Sequence, residues 1–147
     1  MGLSVSNEFR SKALAMARVT THDATALASA RYELRNPLNG SGLSTSRGAR
    51  MASNARRGKE RELGGLLAYQ LHPGRLLDGV GRQCAVVLTR VSPRPFDDDN
   101  LAAAFKSVRD GMAQRWCIDD GDDAVVWLYD WRKGPDAKVE ARLWWLE

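Results

Sequence analysis

A small single domain of α/β (α+β) class, with a mixed β-sheet flanked by helices, is what this sequence predicts, and three observations carry that reading. The segment "RQCAVVLTRV" (82–91) has the uninterrupted β-branched run of a buried strand. After "PFDDDN", Leu101, Phe105, Val108 and Met112 recur at i, i+4, i+7 and i+11, which is one apolar face of a helix. "DAVVWLYDWRK" (123–133) and "AKVEARLWWL" (137–146) alternate as strands do. "KGPD" between them suits a turn, so the two are expected to pair as an antiparallel hairpin.

The elements before these follow in chain order. Residues 1–35 form an N-terminal extension whose alanine-rich "SKALAMARVTTHDATALASARYEL" reads as one or two short helices. "NPLNGSGLSTSRG" (36–48) has the composition of a loop and opens the main body, 36–147. "MASNARRGKERELGGLLAYQL" (51–71) reads as a helix, basic early and apolar late, in which Gly64 and Gly65 each cost ~1 kcal/mol relative to alanine. "HPGRLLDGVG" is a connector, and Pro93 and Pro95 end the following strand.

The chain of 147 residues is long enough for one domain with a real core, and no apolar run reaches the ~18 residues that a membrane span needs. Cys84 and Cys117 stand outside any metal-ligand spacing and read as buried free thiols of a reducing, cytoplasmic compartment. His22 and His72 lack a partner constellation and read as surface or turn residues, and Trp116, Trp127 and Trp131 as core. Trp144 and Trp145, adjacent on a strand, face opposite sides, so one of them is expected exposed or covered by a partner subunit.

Charge is unevenly placed. Residues 1–96 hold 15 Lys/Arg against 6 Asp/Glu, and residues 97–147 hold 7 against 12, within a chain of net charge +4. A basic half suits a polyanion, and an acidic patch suits a cation. Asp97, Asp98 and Asp99 precede the helix, and Asp119, Asp120, Asp122 and Asp123 follow it. One aspartate explains a helix cap; three adjacent carboxylates need protonation or a divalent cation to offset their repulsion. Mg²⁺ suits such a set, because it takes one or two carboxylates with waters and phosphate oxygens, then polarises the phosphodiester. At 100° per residue, Asp99, Lys106 and Asp110 fall within about 40° of one another, away from the apolar stripe. The expected helix is ~24 Å long, so the two acidic clusters either converge by the fold or serve a site shared between subunits.

"DDDNLAAAFKSVRDGMAQRWCIDDGDDAVV" resembles the catalytic segment of the RusA family of Holliday-junction resolvases of bacteria and phages. The family pattern is Asp-x-Asp-Asn, a helix with Lys-x-x-x-Asp, then an Asp-Asp pair before a strand. Asp97–Asn100, Lys106 with Asp110, and Asp119-Asp120 supply these parts here. The lysine stands seven residues after Asp99, where the best-known members have it at four. The resemblance covers 82–133, and 36–146 in outline, including "NPLNG" and the basic helix after it.

It implies a homodimeric, Mg²⁺- or Mn²⁺-dependent endodeoxyribonuclease of DNA recombination and repair that nicks four-way junctions in pairs. Asp97, Asp99 and one of Asp119, Asp120, Asp122 and Asp123, with Asp120 favoured as the second of the Asp-Asp pair, would hold the metal, and Lys106 would stabilise charge on the scissile phosphate. Asn39, Arg47, Arg50, Arg56, Arg57, Lys59 and Arg61 would bind branched DNA, with no organic cofactor and no membrane involved. The alternative is a non-catalytic DNA-binding protein that retains the nuclease fold.

Overall fold

Four strands and two helices make up the computed structural model, which describes residues 24–34, 47–76, 83–95, 98–119, 122 and 125–146. In chain order these are β1 (Ala24–Ala30), α1 (Arg47–Leu71), β2 (Gln83–Ser92), α2 (Asp98–Trp116), β3 (Val125–Lys133) and β4 (Lys138–Leu146). The strands form one sheet in the order β1-β4-β2-β3. β2 and β3 run parallel, joined through α2, while β4 runs antiparallel to both β2 and β1. The expected class, a small α+β domain with a mixed sheet and flanking helices, is the one observed.

Two expectations about the strands are corrected. β3 and β4 do not form a hairpin, because β2 lies between them. The short link crosses the end of β2, where Gly134 N–H donates to the Ser92 carbonyl at 3.2 Å. Crossing one strand means moving ~10 Å, within reach of a few extended residues. The prolines that stop β2 clear the way, and Gly134 passes so close that a Cβ there would stand 2.4 Å from Val91 Cγ1. Central placement suits β4, which buries Val139, Ala141 and Leu143 on one face and Trp144 on the other.

The second correction is β1. Ala24–Ala30 lies inside the segment expected as a helical extension, yet it pairs with β4 from Ala24↔Trp144 to Ala30↔Val139. An open sheet edge outweighs alanine's weak strand preference. The rest of that extension, residues 1–23, lies outside the described residues.

Both helices contribute to a core on one face of the sheet. Leu101, Phe105, Val108 and Met112, the predicted stripe of α2, are all fully buried, with Leu63, Leu67 and Leu71 of α1 beside them. Each such side chain contributes roughly 1.5–3 kcal/mol of apolar transfer. Cys84, Val86 and Leu88 of β2 meet them from below, and Phe105 stacks on Tyr129 and Trp116 on Trp127. Trp116 also donates its indole N–H to the Ala68 and His72 carbonyls (3.2 and 3.0 Å), satisfying acceptors at the end of α1. Trp144 and Trp145 do face opposite sides, but neither is left exposed: Trp144 is buried, and Trp145 is half-buried with His72 against its ring. No described helix is long and apolar enough to cross a membrane.

α2 ends in a left-handed residue. Cys117 has φ 56°, Ile118 N–H donates to Ala113 O at 3.0 Å, and Cys117 N–H to Gln114 O at 3.2 Å. That is the Schellman arrangement, usually closed by glycine. Cys117 is exposed there, which corrects the expectation of two buried thiols; Cys84 is buried as expected. Burial, with Asp122 as a lesser cause, pushes the Cys84 thiol up to about 12, which favours its protonated form at neutral pH.

Candidate functional site

The two helices run in the same sense and touch backbone to backbone. A Cβ at Gly111 would stand 2.0 Å from the Arg61 carbonyl oxygen, and one at Gly64 would stand 2.0 Å from that of Val108. The same sense is kept further along, where the Trp116 indole meets the Ala68 carbonyl. Only glycine at both positions allows this approach. Before the crossing the helices diverge around a groove of about 250 Å³. Arg56, Arg57, Glu60 and Arg61 line it from α1, and Ala103, Ala104, Lys106, Ser107 and Asp110 from α2.

The face of α2 drawn from the sequence is therefore one wall of this groove. Ala103, Lys106 and Asp110 lie on one line, and the helix position of Asp99 continues it by one turn toward the start of α2. The other basic residues of α2 are committed elsewhere. Arg109 donates to the Tyr129 hydroxyl at 3.3 Å and covers the Trp127 ring, and Arg115 covers Tyr69 and donates to Pro73 O. Among the described residues, Arg56, Arg57, Arg61 and Lys106 make no hydrogen bond or ion pair, although Arg56 and Arg57 act on Glu60 through their charge. Four cations thus line a groove that holds two carboxyl groups, a balance that favours an anion.

Glu60 is the residue that sequence reasoning missed. It is only 4% exposed, and its Oε1 has no hydrogen-bond partner. Burial raises its pKa above the usual glutamate value, against the lowering pull of Arg56 and then Arg57. A signal existed in the pattern: Glu60, Leu63, Leu67 and Leu71 share one helical stripe, so the buried face of α1 continues into an acid.

A glutamate whose folded pKa is raised costs no stability below its unfolded pKa, and stability is lost as pH rises through the folded value. Glu60→Gln is therefore expected to be more stable than the parent near neutral pH by about 1 kcal/mol. The gain should shrink toward zero in acid, which thermal melts across pH would read directly.

The remaining predicted residues divide into three groups. Asn39, Asp97 and Asp120 lie outside the described residues. The backbones of Arg47, Arg50 and Asp99 are placed, in the first turns of α1 and α2, without a description of their side chains. Arg56, Arg57, Lys59, Arg61 and Lys106 are placed in full, and all of these except Lys59 line the groove.

Among the described residues, Asp119 and Asp122 of the second acidic cluster lie far from the start of α2. Asp119 and Asp122 form a turn, Asp122 N–H to Asp119 O at 3.0 Å, just before β3. The parallel register puts that end beside Cys84, whereas α2 begins beyond Ser92 at the other end of β2. The 19 residues of α2 separate them by ~28 Å. One chain does not bring Asp99 and this turn together. Among the described residues, no group of three or more side chains is suited to a metal ion. A scan against protein-family models gives no match to this chain, and a search of curated proteins gives none.

Proposed function

We propose that this chain is a cytoplasmic, Mg²⁺-dependent endodeoxyribonuclease of the RusA type, acting on four-way DNA junctions as a homodimer. The observation that carries the reading is the continuous line Asp99, Ala103, Lys106, Asp110 on α2, flanked by the arginines of α1. It lets an acidic cluster and a phosphate-neutralising wall lie along one edge of the molecule.

Asp97 and Asp99 fit Mg²⁺ by chemistry: they are hard oxygen donors beside the start of α2, and that ion needs only one or two carboxylates. When bound, the ion would polarise a phosphodiester and activate water. Since α2 separates the Asp99 position from the turn of Asp119 and Asp122, an aspartate of that second cluster, Asp120 being the favoured one, would complete such a site from a second copy. Arg56, Arg57 and Arg61 would hold DNA phosphates, and Lys106 would face the charge that develops on the strand being cut. The same separation of the acidic clusters favours a second reading, a DNA-binding protein on this fold without cleavage.

Cleavage of a labelled four-way junction and a matching linear duplex in Mg²⁺ tests this, comparing the parent with Asp99→Asn. The expected result is paired nicks in the junction, an intact duplex, and loss of nicking in the variant. Tight junction binding with no cutting in Mg²⁺ or Mn²⁺ would reject the nuclease and leave the binding protein.

A further inference from the structure

The groove between α1 and α2 holds a feature that DNA neutralisation alone does not account for. Arginines and a lysine suffice to hold phosphates, yet a carboxyl group is sunk among them. Glu60 is more than nine-tenths buried in the groove wall, and Oε1 lacks a partner although two guanidinium groups stand on the same helix. A buried polar atom without a partner is costly unless a ligand completes it.

We propose that this groove is a phosphate-binding site in which protonated Glu60 donates a hydrogen bond to the ligand, while ionised Glu60 competes with the ligand for Arg56 and Arg57. The inference deepens the nuclease reading by naming the group that sets how tightly a backbone phosphate is held, and it rests on that reading only for the identity of the ligand.

The ligand is an anion because of the charge balance. Arg56, Arg57 and Arg61 from α1 and Lys106 from α2 outnumber Glu60 and Asp110, and a divalent cation would enter against four positive charges. The groove's volume of about 250 Å³ holds a phosphate group with several waters, each water taking ~30 Å³. The cations are ready to bind, since among the described residues none is held in a hydrogen bond or ion pair; Arg56 and Arg57 act on Glu60 only through their charge. The Oε1 of Glu60 then has two uses. As an acid it supplies one O–H to a phosphate oxygen, filling its own missing bond. As a carboxylate it repels that oxygen. Burial shifts Glu60 toward the acid form, so the change falls at higher pH than for an ordinary glutamate. The charged groups facing it in the groove are Arg56, Arg57 and Arg61 on its own helix, and Lys106 and Asp110 on α2. Asp110 is the other acid there and serves as the control.

The test uses the full chain in EDTA, so that no cleavage occurs, from about pH 5 to about pH 8. Two probes separate the sources of the ligand. A short DNA duplex presents phosphodiesters, and sulfate stands in for a free phosphate dianion; neither changes charge in this range. The parent is expected to bind less tightly as pH rises, by about tenfold across the range. Glu60→Gln should bind with little pH dependence and about tenfold more tightly than the parent at the alkaline end, while Asp110→Asn keeps the parental slope. Arg57→Gln, at an exposed position, should weaken binding at every pH.

A slope for the duplex assigns the site to DNA, and a slope for sulfate alone assigns it to a free phosphate anion. An unchanged slope in Glu60→Gln, or no loss in Arg57→Gln, would overturn the site. Junction cleavage failing while this pH dependence persists would reject the nuclease and leave the phosphate site standing.

Discussion

Gly111→Ala should lower the stability of the fold by about 3 kcal/mol, and Gly64→Ala by a similar amount. The added methyl at residue 111 would sit 2.0 Å from the Arg61 carbonyl oxygen, and that at residue 64 equally close to the Val108 carbonyl. Neither contact is with a side chain that can swing away. Relief requires the helices to move apart, and both are anchored by fully buried groups: Leu67 on α1, and Phe105, Val108 and Met112 on α2. Separation would open voids around those side chains, so the cost includes lost packing as well as the clash. Gly65→Ala is the internal control. Nothing lies within 4 Å of a Cβ there, so the substitution should stabilise by up to about 1 kcal/mol through helix propensity alone. Urea titrations of the three variants would read this pattern as two lowered midpoints and one raised. Raised midpoints of similar size in all three would mean that helix propensity alone governs these positions and that the close crossing does not exist.

Those glycines show where sequence reasoning stops. In the one-dimensional pattern Gly64 and Gly65 are alike, two weak points in one helix. The difference between them is made by α2, a neighbour more than 40 residues away along the chain. The stripe of α2 was legible because burial of Leu101, Phe105, Val108 and Met112 follows from helical periodicity alone. The segments of β2, β3 and β4 were legible as strands from their β-branched run and alternation, whereas β1, inside an alanine-rich stretch, was not.

Their partners were not. β3 and β4 alternate equally well beside each other or on either side of β2, and the choice depends on which position buries both faces of β4. At the candidate site, the Lys106 and Asp110 face was readable from spacing, whereas the buried state of Glu60 was disguised by the basic residues around it. The spacing of the acidic clusters raised a distance problem that the parallel β2-α2-β3 unit makes concrete: it sends the Asp99 position and the turn of Asp119 and Asp122 to opposite ends of the sheet.

That geometry sharpens what Lys106 can do. Its position is seven residues from Asp99, ~10 Å along the helix axis, on the line that leads to the acidic cluster. A long lysine side chain can lean back toward the start of its helix, since Cα–Cβ bonds tilt that way. If it reaches the phosphate being cut, its charge is worth most in the transition state, so Lys106→Ala should lower the cleavage rate at saturating junction by about 100-fold or more. Binding of the junction in EDTA should then weaken only a few-fold, because one of four groove cations is lost and the other three remain. The opposite pattern is equally readable. An unchanged saturated rate, with a salt-dependence slope reduced by about 0.9, would make Lys106 a holder of a neighbouring phosphate. Single-turnover rates and binding isotherms on the same preparation separate the two. The first pattern joins the groove to the acidic cluster as one reacting site. The second assigns to α2 two functions along a single face, with chemistry in its first turn and grip in the turns that follow.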